Sequence, residues 1–296
     1  MTEIITLSIL CFAFGAIVGS FLGVCSYRIP MGKYEPVRQG IRELTHAVSI
    51  ISPARSFCPQ CEAQLAWHHN IPIVSWLILR GRCASCNAAI PVRYLVIELL
   101  AGFFAVCCYL RFGANPSALV AFAIVSALIV ITFIDFDYMI IPNVITYPGT
   151  AAGLLLGIAS SLLPANPLLP LQQPFTQSLW ESLLGILFGA GLLYLVWWLY
   201  LVLRKREGLG LGDIKLLAML GAFFGFQCSL ATIFVGSVLG SVVGLTLIAL
   251  RRHEYSMHIS FGPYLAFAAA LYIFNFANLI QYLRGGIEST VWRAFT

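Results

Sequence analysis

The sequence predicts an all-α polytopic membrane protein of about eight transmembrane helices, with a small cytoplasmic zinc-binding loop domain between the first and second. Three observations predict it: an apolar composition, eight apolar runs of spanning length, and a one-sided distribution of basic residues. Of 296 residues, 60% are hydrophobic and 10% charged. A soluble domain carries about 25% charged residues.

The first span is expected over 4–27. Glu3 is the only charge before it, so no basic n-region marks a cleavable signal peptide. Further apolar runs cover 94–110, 117–134, 144–163, 179–203, 214–226, 230–250 and 263–283. The sixth is short, and its boundary with the seventh is placed at Gln227-Cys228.

Charge placement orients the chain. With both termini outside, all of the 17 lysines and arginines fall on the cytoplasmic side except Arg111, Arg284 and Arg293. Adding or removing one span midway would scramble that bias. Trp197, Trp198 and Tyr200, just before Arg204, fit an interfacial aromatic belt. In this topology three segments are expected: 1–29 as the first span, 30–92 as the loop domain, and 93–296 as the remaining membrane domain.

The loop carries Cys58-Pro59-Gln60-Cys61 and Cys83-Ala84-Ser85-Cys86. Each C-x2-C knuckle presents two thiolates, and two knuckles complete a tetrahedral zinc site. Disulfides are the alternative, disfavoured in a reducing cytosol. His68 and His69 find no vacancy in a four-thiolate set. A loop with few apolar residues would draw much of its order from the metal. Cys11, Cys25, Cys107, Cys108 and Cys228 are scattered on apolar spans and read as small buried hydrophobes.

Two acids sit at membrane ends of apolar runs. Asp135 closes the third, in Ile134-Asp135-Phe136-Asp137, and Asp213 opens the sixth, after Gly210-Leu211-Gly212. Carboxylates are costly near hydrocarbon, which marks both as functional candidates. Both ends face the cytoplasm, so the two can meet. A pair of carboxylates suits hydrolysis by water, one as base and the other as acid. Asp135, nearer the apolar run, is the better partner for Asp213; Asp137 is expected to touch solvent or substrate. Gly210 and Gly212 are expected to remove side-chain bulk and allow unusual backbone angles, so that the backbone can approach a substrate strand closely. Lys215 either biases the proton between the acids or snorkels. Glu98, near Arg93, is expected either to pair structurally or to bind substrate. Glu181 reads as a dipole-compensating residue, and Gly236, Gly240 and Gly244 as a helix-packing seam.

Together these features resemble the bifunctional type IV prepilin peptidases (leader peptidase and N-methyltransferase) of bacteria. The resemblance rests on Gly19-Ser-Phe-Leu22 with Tyr27-Arg-Ile-Pro30, the two cysteine knuckles flanking Asn70-Ile-Pro72 and Ser75-Trp-Leu, and Arg80-Gly-Arg-Cys83. It continues through Arg93-Tyr94, Glu98, Asp135 followed by Ile141-Pro142-Asn143, the Gly-x-Gly-Asp of 210–213 with Lys215-Leu216, and Phe261-Gly-Pro263. Gly23 stands where the family usually has asparagine, and Ser260 where proline usually precedes Phe-Gly-Pro. The resemblance implies Asp135 and Asp213 as the catalytic pair of an aspartic endopeptidase in the bacterial cytoplasmic (inner) membrane, with its active site at the cytoplasmic face. The implied partners are prepilins and pseudopilins, cut after the glycine of a basic leader, and membrane lipid; no nucleic acid is expected. It also implies methylation of the new N-terminal amine from S-adenosylmethionine, with the cysteine loop in the methyltransferase half. No Gly-x-Gly-x-x-Gly follows a predicted strand, so no Rossmann-type site for that donor is readable. A proton- or ion-coupled transporter, a zinc-loop scaffold and a peptidase with an inactive methyltransferase half are the competing readings.

Overall fold

The computed structural model describes residues 2–31, 56–58, 60–162, 174–205, 210–250 and 260–274. The described chain runs α1 (Thr2–Met31), a 3-10 turn (Trp67–Asn70), a short α2 (Val74–Ile78), α3 (Val92–Phe112), α4 (Pro116–Tyr138), α5 (Asn143–Leu162), α6 (Leu179–Arg204), α7 (Leu211–Ala249) and α8 (Gly262–Phe274). Among the described residues six helices are long and apolar enough to cross a membrane, and α8 contributes a shorter apolar one. Most of the loop arginines and lysines, Gly208 and the end of the expected last span lie outside the described residues.

Local chemistry sets the helix ends. Asn115 caps α4 by accepting the Ser117 N–H at 3.0 Å, with Pro116 in the first turn. Ser178 accepts the Glu181 N–H, and the Glu181 carboxylate accepts the Gln177 N–H at 2.7 Å. Glu181 therefore belongs to a reciprocal cap on α6, beyond its favourable position at the dipole's positive end. At its other end α4 closes on Met139, whose left-handed backbone (φ 54°) returns its N–H to the Asp135 carbonyl at 2.8 Å. Pro142 then opens α5, its carbonyl accepting the N–H groups of Ile145 and Thr146.

The boundary expected at Gln227-Cys228 falls at Gly225, where α7 leaves helical geometry (φ 76°, ψ −175°). Only glycine adopts that backbone without strain. What happens there is a reversal. A β-carbon on Gly189 of α6 would lie 2.9 Å from the Leu217 carbonyl on one side and 2.6 Å from the Ser229 hydroxyl on the other. Residues 217 and 229 therefore share one level, and 211–224 and 226–249 lie as antiparallel arms against α6. Ser229 fastens the turn by donating to the Gly185 carbonyl at 3.2 Å. With that turn the six long helices and α8 make eight apolar segments.

Small residues carry the packing. Gly19 of α1 would place a β-carbon 2.7 Å from the Glu98 Cα of α3, and Gly153 of α5 would place one 2.7 Å from the Ala222 side chain of α7. Such close approach suits helices whose surroundings are as apolar as their interfaces. Two of the three glycines of the expected seam, Gly236 and Gly240, face Leu265, and Phe261 with Tyr264, around the start of α8, and the third, Gly244, is buried. The core between α3, α4, α7 and α8 includes fully buried Ile97, Ile131, Ile134, Leu216, Leu217, Leu220, Leu265 and Ile273. The directions of these contacts bring the end of α1, the start of α3, the end of α4, the starts of α5 and α7, and the start of α8 to one end of the bundle.

Candidate active site and metal centre

Asp135 occupies the last turn of α4 and Asp213 the first turn of α7, and they are 5% and 7% exposed. Helix α8 packs on α4 and, through Gly236 and Gly240, on the 226–249 arm of α7. The helix ends that carry the two acids meet, because the α4–α5 turn at Ile141 lies against Gly212 at the start of α7. Asp135 is held from α8: its Oδ2 accepts a hydrogen bond from the Ser260 hydroxyl and another, at 2.9 Å, from the Gly262 N–H. Asp213 donates its backbone N–H to the Gly210 carbonyl at 3.2 Å.

The glycines before Asp213 act through space rather than through unusual angles. Gly210 has φ −73° and ψ 132°, open to any residue, and neither Gly210 nor Gly212 has a positive φ. A β-carbon on Gly212 would lie 2.9 Å from that of Ile141. One on Gly210 would lie 3.2 Å from the Asp213 Oδ2. The missing side chains let the α4–α5 turn sit on the start of α7, which brings the ends carrying the two acids together.

The neighbouring polar residues make their own contacts. Asp137, partly exposed, forms an ion pair with Arg93 of α3, whose guanidinium also reaches Ser26 of α1. Glu98 does not pair with Arg93. It is buried and accepts the Ile73 N–H at 2.6 Å, tying the cysteine-bearing segment to α3. Lys215 donates to Asn143 Oδ1 at 2.9 Å, with its ammonium 5.4 Å from the Tyr147 ring. The Asp137–Arg93 pair escaped the sequence reading, although both residues were expected at the same membrane face.

The second centre lies between α1 and α3. Cys58, Cys61, Cys83 and Cys86 bring their sulfurs within 4.8 Å of one another, and Cys58 and Cys86 are 3.8 Å apart. Four thiolates about 2.3 Å from a tetrahedral zinc stand about 3.8 Å apart, so the set fits such a metal. Antiparallel bridges pair Phe57 with Gln64 and Arg82 with Ala89, closing each knuckle into a tight turn. The backbone N–H groups of Cys86 and Ser85 bring the Cys83 thiol down from 9.0 to about 6. It is therefore a thiolate, the ligand form, at neutral pH. His68 and His69 pack ring to ring at 4.2 Å in the 3-10 turn, apart from the thiol cluster. A cavity of about 260 Å³ separates this module from α1, lined by Ser20, Phe21, Arg28, Ser56, Asn70 and Pro72 among others.

A multi-pass helical bundle that presents two buried, interacting carboxylates at one end defines the class of membrane aspartic peptidases. Comparison with known proteins narrows it. Residues 13–112 match the bacterial Peptidase A24 N-terminal domain and residues 122–245 match the type IV leader peptidase family. The chain is 34% identical to the prepilin leader peptidase/N-methyltransferase of Aeromonas hydrophila, over 88% of its own length and 87% of the relative's. Identity is 34% to that of Stutzerimonas stutzeri (86% of both) and 33% to that of Burkholderia pseudomallei strain 1026b (92% and 86%). No solved structure matches. The chain belongs to the type IV leader peptidase family.

Proposed function

We propose that this protein is a membrane aspartic endopeptidase that removes the basic leader of type IV prepilins and pseudopilins at the cytoplasmic face of the bacterial inner membrane, and then methylates the new N-terminal amine. The observation that carries the peptidase reading is that the helix ends bearing the buried Asp135 and Asp213 meet at one end of the bundle. Two acids facing one water divide the labour: the ionised one draws the water's proton while the protonated one donates to the scissile carbonyl. The hydroxide adds to the carbonyl carbon. Collapse of the tetrahedral intermediate breaks the C–N bond, and a proton passes to the leaving amine.

The depth suits the substrate. A prepilin has a positive leader inside and an apolar helix in the bilayer, so its cleavage point lies at the interface where these helix ends meet. Gly210 and Gly212 leave room beside Asp213 for an extended strand. The membrane is the enzyme's solvent, and no nucleic-acid partner is proposed.

The methyltransferase half is assigned to α1, the cysteine module and α3, within 1–92 and the start of the following span; the remainder carries the peptidase. Zinc on Cys58, Cys61, Cys83 and Cys86 would hold the module closed as a structural ion. The methyl donor proposed is S-adenosylmethionine, whose sulfonium supplies the methyl group. The cavity beside the module, with Phe21 and Pro72 as apolar walls and Ser20, Ser56 and Asn70 as polar ones, is the proposed place for it. Purified protein incubated with a prepilin and S-adenosylmethionine tests the whole reading. Mass spectrometry should find the pilin shortened by its leader and carrying one added methyl group. An intact leader would overturn the peptidase assignment, and a shortened, unmethylated product would leave only that half.

A further inference from the structure

We propose that Ser260 is a positioning residue for hydrolysis, fixing one oxygen of Asp135 so that the other is left for the water. The inference rests on the reading of Asp135 as catalytic, and goes beyond it. The Ser260 hydroxyl and the Gly262 N–H both donate to Oδ2 of Asp135. Among the described residues no donor reaches Oδ1. The two oxygens therefore have different tasks: one is anchored and one is available to take a proton.

The anchor is needed because of what a carboxylate is. Rotation about its terminal torsion is soft and roughly two-fold, so a side chain at the end of a helix does not hold its own plane. Two donors from a neighbouring segment remove that freedom, and hydrogen bonds to a charged acceptor are the stronger kind. Gly262 opens α8 and Ser260 lies two residues before it, so the donors come from the start of that helix and the residue leading into it. A proline at 260 would bring no hydroxyl, so this donor is a property of the present chain.

The test is kinetic, on the purified full-length protein with a prepilin substrate. Ser260→Ala should lower kcat about tenfold with KM changed less than about twofold, because the substrate's own contacts are untouched. Ser260→Thr keeps the donor and should retain at least about a third of the wild-type kcat. Unchanged kcat in Ser260→Ala, a loss confined to KM, or equal impairment of the alanine and threonine variants would each overturn the proposal. Asp135→Asn separates the two levels of the argument. If it cleaves normally, the catalytic reading of Asp135 falls; if it is inert while Ser260→Ala is normal, only the role of Ser260 falls.

Discussion

Gly262→Ala adds one methyl group, and the structure says where it goes. An ideal β-carbon at residue 262 would overlap the Asp135 Oδ2 and lie 3.0 Å from its Cγ. Carbon atoms pack at about 3.5–4.0 Å, so the carboxylate or the start of α8 must retreat by about 0.5–1 Å. Either movement also weakens the hydrogen bonds that α8 gives to Asp135. A displacement of about 1 Å in a reacting group can cost about 10²-fold in rate. The expected outcome is a fall in kcat of about 10- to 100-fold in a cleavage assay on purified protein. Helix propensity argues the other way, since alanine is better than glycine in a helix by about 1 kcal/mol. A loss of activity with an unchanged melting temperature therefore cannot be ascribed to a weakened α8. Activity within about threefold of wild type in a folded Gly262→Ala would refute the contact, and with it the claim that α8 sets the position of Asp135.

Three further perturbations probe other parts of the account. Arg93→Ala leaves the partly buried Asp137 carboxylate without its ion partner, whereas Asp137→Asn keeps a hydrogen-bonding group there; the first should destabilise by about 1–3 kcal/mol and the second by less, read as melting temperatures in detergent. Wild-type melting temperatures in both variants would show that the pair contributes nothing. Gly225→Ala puts a side chain at φ 76°, ψ −175°, and should cost about 1–3 kcal/mol of stability while leaving the residual folded fraction active. Wild-type stability would contradict the reversal in α7. Metal analysis should find about one zinc per chain, absent after Cys58→Ser with Cys61→Ser. The Cys83 thiol is held below its ordinary value by the backbone N–H groups of Cys86 and Ser85, which favours its ligand form. Zinc retention against a chelator should fall as the solution is acidified, because protons compete with the metal for the thiolates; retention independent of pH down to strong acid would contradict a thiolate site.

The spans were legible because burial in lipid demands long apolar runs, and the basic residues between them are too costly to hide. The turn between the sixth and seventh was placed two residues late. Gln227-Cys228 is the polar break in the pattern, but the reversal is made by backbone conformation at Gly225, inside the apolar run. The two acids stood out because carboxylates are rare in such company. Their surroundings did not. Arg93 with Asp137, and Glu98 with the Ile73 N–H, are contacts between segments distant in sequence, and local pattern does not choose among charged residues gathered at one membrane face. Gly210 and Gly212 were read both for their lack of bulk and for conformational freedom; only the first is used, and Ile141, whose β-carbon would lie 2.9 Å from one on Gly212, could not be known as the neighbour from local pattern. Ser260 showed only as a departure from a familiar pattern, and its hydrogen bond to Asp135 became visible once α8 was set beside α4.

The central claim is that Asp135 and Asp213, brought together from α4 and α7, hydrolyse the substrate as a pair. Cleavage of a prepilin by purified Asp135→Asn and Asp213→Asn, each shown to fold as wild type does, tests it most directly. Asparagine keeps each side chain's shape and removes its ability to take or give a proton at the catalytic water. The account predicts that the leader stays uncleaved with either variant, and that the double variant is no worse than the single ones. Normal leader removal by either folded variant would contradict it.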